Sequence, residues 1–216
     1  DILAGLREEI PAIVERYTLP ALLDIFKRTC DAVAFAHHHG VVHRDLKPSN
    51  VLLTRRGTDD DFVKVLDFGL VKIVGDEDDH EHTASGVMMG TPRYMSPEQV
   101  RGAATLGPQT DLYSLGVILY EMVTGKLPYP AESVQVFVSI LNETPTPPSR
   151  VAKVSPEMEQ LILQLLAKDP AARPASALEV RERLSSWAPI HAGDTLPKQI
   201  PALQTLVGVG VGVGAS

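Results

Sequence analysis

Apolar residues recur at helical spacing in several stretches of this 216-residue chain. The pattern predicts helices over five ranges: 18–39, 111–123, 133–141, 156–167 and 175–187. Gly40 supplies the C-terminal stop of the first helix. The second helix is apolar on nearly every face, interrupted only by Ser114 and Glu121, which is typical of a helix buried at the centre of a domain. We therefore expect a mainly helical protein.

Short aliphatic and β-branched runs predict strands between the first two helices. They occupy residues 41–42, 51–53 and 62–66, with a turn at 57–61. Lys64 lies inside the last run, where a solvated strand face is its expected place. Together the elements predict an α+β fold that is mainly α, with a helical bundle around the buried central helix and short β-hairpins.

Two segments show little helical or strand periodicity. Residues 67–98 form a long stretch with an acidic cluster at 76–79, and segments of this kind are usually functional or disordered. Residues 188–216 are rich in proline, glycine and small residues, so we expect a compact domain over 1–187 followed by a tail. The tail ends in about ten apolar residues, which is half the length that a membrane-spanning helix needs. The tail is therefore interpreted either as a linker or as the start of a membrane segment.

Composition and charge narrow the function classes. The formal net charge of −7 argues against nucleic acid as a partner, because a phosphate backbone is bound by basic surfaces. The single cysteine, Cys30, lies in the first predicted helix as a small buried hydrophobe, and one cysteine cannot form a disulfide within the chain. The first residues lack the basic-then-apolar pattern of a secretion signal. These features favour a reducing, cytoplasmic location.

Three consecutive histidines, His37, His38 and His39, close the first predicted helix. Neighbouring side chains on a helix point about 100° apart, so three in a row cannot converge on one metal ion. We therefore favour imidazoles at the negative end of the helix over a metal site.

A dense group of polar residues follows this helix, in two motifs: His43-Arg44-Asp45-Leu46-Lys47-Pro48-Ser49-Asn50 and Asp67-Phe68-Gly69. Transfer of a phosphoryl group to a hydroxyl requires a proton acceptor, positive charge near the phosphate and positioned MgATP. Asp45 can accept the proton, and Lys47 can place a cation on the phosphate. Asn50 and Asp67 offer the oxygen ligands that magnesium prefers. Each of these residue types therefore suits a task that phosphoryl transfer from MgATP requires.

Three further segments follow in order: Gly90-Thr91-Pro92-Arg93-Tyr94-Met95-Ser96-Pro97-Glu98, Asp111 at the start of the buried helix, and Lys168-Asp169-Pro170 before Arg173-Pro174. With the two motifs above, this order resembles the Hanks-type, eukaryotic-like serine/threonine protein kinases over residues 1–187, in a form similar to the bacterial members. The resemblance implies the C-terminal lobe of a kinase fold. It also implies transfer of the ATP γ-phosphate to Ser or Thr hydroxyls of protein substrates.

The resemblance assigns chemical roles to five residues. Asp45 is the catalytic base, and Lys47 contacts the phosphate. Asn50 and Asp67 hold magnesium. Thr91 contacts the catalytic loop and helps to present the substrate hydroxyl.

The resemblance assigns structural roles to four others. Glu98 pairs with Arg173 and ties the activation segment to the base of the lobe, and Asp111 hydrogen-bonds the catalytic-loop backbone. His43 packs and hydrogen-bonds rather than taking part in the chemistry.

A loop phosphorylation site is also implied. Arg44 precedes the base, as in kinases whose arginine captures a phosphate on the activation loop. Thr83 and Ser85 lie before Gly90 at offsets that resemble the paired autophosphorylation sites of bacterial members, although both are also readable as ordinary loop hydroxyls.

The sequence contains neither the glycine-rich phosphate loop nor the Val-Ala-Ile-Lys strand of the family. We therefore expect the N-terminal lobe to lie outside this chain, and the fragment alone to transfer phosphate poorly. A pseudokinase that serves as a binding scaffold is the alternative function, and a small-molecule phosphotransferase is disfavoured by the peptide-positioning segment. A dimer for trans-autophosphorylation and membrane attachment beyond the tail are further expectations.

Overall fold

The computed structural model describes residues 16–68, 92–129 and 134–186. Within these ranges the chain forms six α-helices and one antiparallel pair of strands. The helices are α1 (Leu19–His38), α2 (Pro97–Val100), α3 (Gln109–Thr124), α4 (Gln135–Asn142), α5 (Pro156–Leu165) and α6 (Ala177–Ser186). The strands are β1 (Val51–Arg56) and β2 (Asp59–Val65).

Helix α3 is the centre of the described fold. Every residue from Thr110 to Thr124 is buried, and the helix packs against α1 and α5. It ends at Gly125, whose φ of 69° is the left-handed conformation that glycine adopts without a Cβ clash. The predicted buried central helix is confirmed, and it begins two residues earlier than expected, so that Asp111 lies in its first turn.

Helix α1 lies across the core with an apolar stripe turned inward. Leu22, Phe26, Cys30 and Val33 are buried on this stripe at the three- and four-residue spacing of one helix face. The predicted burial of Cys30 is confirmed, and that burial raises the pKa of its thiol. The side chain is therefore a protonated core residue rather than a reactive thiolate.

Strands β1 and β2 form a hairpin that turns at Gly57, where φ is 62°. Val51 pairs with Val65, and the amide of Leu66 donates to the carbonyl of Asn50 at 2.9 Å. Lys64 is exposed on β2, as predicted. The open end of the hairpin thus places Asn50 next to the segment that leads into Asp67.

The predicted strand at residues 41–42 is wrong. The amide of Val41 donates to the carbonyl of Ala36 at 2.9 Å, so the chain is still closing the end of α1 at this point. The turn predicted at 57–61 is also shorter than expected, because β2 already begins at Asp59. This acidic strand end is held by Arg28, whose guanidinium lies 2.6 Å from the Asp59 carboxylate.

Two of the shorter helices begin at caps that the sequence encodes. In α2, Ser96 and Gln99 form a capping box with Pro97 at the first helical position. In α5, the side chain of Ser155 accepts a hydrogen bond from the amide of Met158. The predicted helices 133–141, 156–167 and 175–187 correspond to α4, α5 and α6, whereas α2 falls in a segment for which no helix was predicted.

Part of the sequence-based interpretation lies outside the described residues. Residues 69–91, most of the predicted irregular segment, are not described. The tail 188–216 and the predicted domain boundary at residue 187 are not described either. Among the residues that the structure does describe, no helix combines the length and apolar character needed to cross a membrane.

Helices α3 and α5 approach so closely at Gly116 that a larger residue is expected to destabilise the domain. A Cβ built on Gly116 would lie 2.6 Å from the Cβ of Leu165. Gly116→Ala should therefore lower the free energy of unfolding by about 1–3 kcal/mol, because the helices must separate. Amide exchange of α3 peptides in the full-length protein measures the change. The matched control is Gly107→Ala, where an added Cβ meets nothing within 4 Å, and equal exchange in both variants would contradict the prediction.

Candidate active site

Asp111 holds the backbone of the loop that follows α1. Its side chain is fully buried, and its two carboxylate oxygens accept the amide hydrogens of His43 and Arg44, each at 2.8 Å. The contact predicted between Asp111 and the catalytic-loop backbone is present. Because Asp111 belongs to the buried helix α3, the loop is fixed to the core of the domain.

His37 makes a third contact to Asp111 that the sequence analysis missed. Its Nε2 lies 2.7 Å from a carboxylate oxygen of Asp111, whereas His39 contacts the carbonyl of Phe35 at the surface. His37 and His38 lie in the last turn of α1, as predicted for imidazoles at the negative end of the helix, and His37 in addition contacts the buried carboxylate of Asp111. The inward position of His37 could have been predicted from the sequence, because His37 continues the helical spacing of Phe26, Cys30 and Val33 along the buried face of α1.

His43 connects the loop to the segment before Asp67. It is fully buried, and its Nδ1 accepts from the amide of Asp45 at 3.2 Å while its Nε2 lies 2.7 Å from the carbonyl oxygen of Leu66. Both contacts are satisfied by the tautomer with hydrogen on Nε2, an assignment made from the network. The ring also packs edge-on against Phe68, with centroids 4.8 Å apart. These contacts fit the structural role expected for His43.

Asp45, Lys47 and Asn50 form one cluster. The Lys47 ammonium lies 2.7 Å from Oδ2 of Asp45, and the Asn50 amide nitrogen donates to the Asp45 carbonyl at 2.8 Å. The Asp45 side chain remains 42% exposed, whereas that of Lys47 is 22% exposed. A charged carboxylate is therefore held in place yet accessible to a substrate.

Asp67 lies at the end of the hairpin, beside this cluster in the fold. It is exposed and has a φ of 59°, a conformation that aspartate tolerates better than most residues. Backbone conformations of this kind persist where the surrounding structure imposes them, and they concentrate at functional sites. The observation supports a functional interpretation of Asp67 without assigning its ligand.

The donor set of Asn50 and Asp67 fits magnesium. The Asn50 amide nitrogen is already used by the Asp45 carbonyl, which leaves its side-chain oxygen available as a ligand. Asp67 directly follows Leu66, whose amide donates to the Asn50 carbonyl. Across the described ranges, no group of three or more His, Cys, Asp or Glu side chains could hold a metal ion. Magnesium characteristically binds one or two protein oxygens and completes its shell with water and phosphate oxygens. The pair is therefore sufficient for magnesium carried with a nucleotide.

Arg44 adopts a left-handed backbone conformation, with φ of 67°. Its amide is held by Asp111, and its carbonyl accepts a hydrogen bond from the Gln99 side chain at 2.6 Å. The Nε of Arg44 is buried and has no hydrogen-bond partner among the residues that the structure describes. Gln99 was not singled out as a site residue in the sequence, because its partner is far away along the chain.

The ion pair predicted between Glu98 and Arg173 is present. Two guanidinium nitrogens of Arg173 donate to the two oxygens of Glu98 at 2.7 and 2.9 Å, and Thr110 donates to Glu98 at 3.0 Å. The Arg173 side chain is fully buried. Burial by itself would raise the pKa of Glu98, but the hydrogen bonds, Arg173 first, outweigh it and hold that pKa below its ordinary value.

Lys168, from the same motif as Arg173, anchors helix α4. Its ammonium donates to the hydroxyl of Tyr129 at 2.7 Å and to the carbonyls of Ser139 and Ile140 near the end of α4. Partial burial lowers its pKa to about 8. Nothing in the residues around Lys168 predicts this anchoring role.

Three predicted site residues, Thr83, Ser85 and Thr91, lie outside the described residues. Their roles stay predictions. The contacts expected of Asp111 and of the Glu98–Arg173 pair are found among the described residues.

Comparison with known proteins agrees with this geometry. The family model described as the protein kinase domain matches residues 9–184. The chain is 47% identical over 167 residues to serine/threonine-protein kinase pkn3 of Myxococcus xanthus, covering 75% of this chain and 30% of that protein. It is 40% identical over 164 residues to serine/threonine-protein kinase PknB of Mycolicibacterium smegmatis, covering 75% of this chain and 25% of that protein.

A solved structure has a similar fold. The autoinhibited serine kinase domain of the giant muscle protein titin aligns with a TM-score of 0.65 and 22% identity, covering 85% of this chain and 56% of that one. At this identity the likeness shows the fold alone, and it confirms the predicted kinase-like, largely helical class. The extent of the family match, together with the two bacterial relatives, shows that the chain belongs to the protein kinase family.

Proposed function

We propose that this chain is part of a serine/threonine protein kinase that transfers the γ-phosphate of ATP to Ser and Thr hydroxyls of proteins in bacterial signalling. The observation that carries the proposal is the cluster of Asp45, Lys47 and Asn50 beside Asp67. A binding scaffold without chemistry requires none of these four side chains. The names of the bacterial relatives support the same function for the protein to which the chain belongs.

Each residue of the cluster has a task in this reaction. The exposed carboxylate of Asp45 accepts the proton of the substrate hydroxyl, and the Lys47 ammonium supplies positive charge at the transferring phosphoryl group. Protein kinases as a family use ATP and Mg²⁺. Asn50 and Asp67 would hold the magnesium, which would neutralise the charge of the phosphates when it is bound. Thr91 orients the substrate hydroxyl toward Asp45.

We further propose that residues 1–187 correspond to the C-terminal lobe of the kinase domain and that 188–216 are a linker or the start of a membrane segment. The glycine-rich loop and the strand lysine are absent from this sequence, and both are needed for activity in the family. They are therefore supplied from outside this sequence. On its own the chain binds MgATP weakly and transfers phosphate poorly.

Phosphorylation of the activation segment is a second part of the proposal. The buried Nε of Arg44 lacks a hydrogen-bond partner among the described residues, and a phosphate supplies strong acceptors together with nearly two negative charges. We propose that Thr83 or Ser85 carries this phosphate, added in trans by a second copy. A cytoplasmic location and attachment to a membrane beyond residue 216 complete the proposal.

A phosphotransfer assay on the full-length protein tests the function. Incubation with radiolabelled ATP and casein should give label on serine and threonine in the presence of Mg²⁺. Chelation by EDTA should remove the activity, and excess Mg²⁺ should restore it, because Asn50 and Asp67 have no catalytic use without the ion. Label on tyrosine, activity that survives EDTA, or no transfer at all would contradict the proposal.

A further inference from the structure

The backbone at Arg44 is held from both sides. Its φ of 67° lies in the left-handed region, which costs a residue with a Cβ roughly 1–2 kcal/mol. The preceding peptide group is fixed by Asp111, which accepts the Arg44 amide at 2.8 Å. The following carbonyl, which belongs to the peptide bond joining Arg44 to Asp45, accepts from Nε2 of Gln99 at 2.6 Å. Gln99 therefore contacts the peptide group adjacent to the carboxylate that acts as the base.

The side chain of Gln99 is itself oriented by the start of α2. Its Oε1 accepts the amide hydrogen of Ser96 at 2.9 Å, and the Ser96 hydroxyl accepts the amide of Gln99 at 3.4 Å. With the oxygen occupied by the cap, the NH₂ group points to the carbonyl of Arg44. One carboxamide thus serves two segments that lie 55 residues apart in sequence.

The identity of the residue matters for only one of these two contacts. Glutamate completes a capping box as well as glutamine does, because the cap requires only an acceptor. The contact to Arg44 requires a donor, and ionised glutamate has none. The contact to the catalytic loop therefore explains why this residue is glutamine, whereas the helix cap does not.

We propose that Gln99 is a positioning residue for the catalytic base. It fixes the peptide group between Arg44 and Asp45 and thereby connects the end of the activation segment to the loop that carries the base. The inference rests on the proposed function, because Asp45 has to be the base for its placement to affect turnover. The side chain of Gln99 contacts Ser96 and Arg44, so its loss changes the rate of the chemical step and leaves nucleotide binding intact.

The variant Gln99→Glu in the full-length protein isolates this contact. It retains the cap of α2 and places a carboxylate oxygen against the Arg44 carbonyl. We expect kcat to fall by roughly 10- to 100-fold with the KM for ATP unchanged, since small displacements of a catalytic group have effects of this size. Amide exchange should become faster in residues 43–46 and stay unchanged in α2.

Two matched variants act as controls. Gln135→Glu makes the same chemical change at an exposed position in the first turn of α4, and it should leave kcat and the exchange of residues 43–46 unaltered. Ser96→Ala removes the hydroxyl of the capping box and retains the donor of Gln99. It should speed exchange in α2 and leave kcat within a factor of about two, because the catalytic contact is retained.

The outcomes separate this inference from the proposed function. Wild-type turnover and wild-type exchange of residues 43–46 in Gln99→Glu would overturn the inference, as would a raised KM with unchanged kcat. If the wild-type protein transfers no phosphate, the proposed function fails, and the exchange of residues 43–46 still decides whether Gln99 holds the loop.

Discussion

Asp45→Asn in the full-length protein is expected to lower kcat by at least about 100-fold, with the KM for ATP close to that of the wild type. The amide can still accept a hydrogen bond from the Lys47 ammonium, which lies 2.7 Å from the wild-type carboxylate, so the local geometry is retained. It cannot accept a proton from the substrate hydroxyl. The measurement is steady-state phosphorylation of a protein substrate at saturating MgATP.

The matched control for this variant is Asp31→Asn. Asp31 is a half-exposed carboxylate on α1 that pairs with Arg181 at 3.4 Å, away from the cluster. Its loss should change neither kcat nor KM, because an exposed pair of this kind contributes little. If Asp45→Asn retains wild-type kcat, the assignment of Asp45 as the base is wrong, and the cluster of Asp45, Lys47 and Asn50 requires another interpretation.

Arg173→Met should produce the largest loss of stability among single substitutions at the candidate site. The guanidinium is fully buried and donates to both oxygens of Glu98 and to the carbonyls of Ala167 and Gln109. Removing one member of a buried pair leaves the other charge uncompensated, which costs about 3–5 kcal/mol. Amide exchange of α3 peptides in the full-length protein measures this loss.

The dependence on pH provides a second test of the same pair. The pKa of Glu98 is lowered in the folded state. The pair therefore stabilises the fold fully at a pH above 4.5, the ordinary pKa of a glutamate, and this stabilisation is lost as the pH falls through the lowered pKa. In Arg173→Met this acid-dependent part should be missing. Arg55→Met is the control, since Arg55 pairs with Asp60 at the surface with side chains 78% and 63% exposed. Equal destabilisation by both variants would contradict the role given to Arg173.

The parts of the fold that could be predicted are those encoded by neighbouring residues or by regular spacing of apolar residues. Helix α3 could be predicted because almost no polar residue interrupts it, so every face had to be buried. The contacts of Asp111 and of Glu98 with Arg173 could be predicted because an ordered set of motifs implied them. In each case the prediction rested on residue types at a known spacing. The contacts between residues far apart in sequence followed from the family resemblance.

Other features depend on packing that local patterns do not encode. Residues 41–42 have strand-like side chains, yet the hydrogen bond from Val41 to Ala36 keeps them in the turn that ends α1. Gln99 reaches Arg44 across a long separation in sequence, and nothing in its neighbourhood signals the partner. His37 lies between these two cases. Its long-range contact could not be predicted, but its position on the buried face of α1 could, because it continues the apolar spacing that its two neighbours do not.

The attachment of the loop at residues 43–50 to Asp111 limits how the site can be altered by mutation. This loop takes its position from the most deeply buried helix of the described fold. A substitution that rotates or shifts α3 would displace Asp45 without touching it. The position of Asp45, the proposed base, is therefore coupled to the packing of the core.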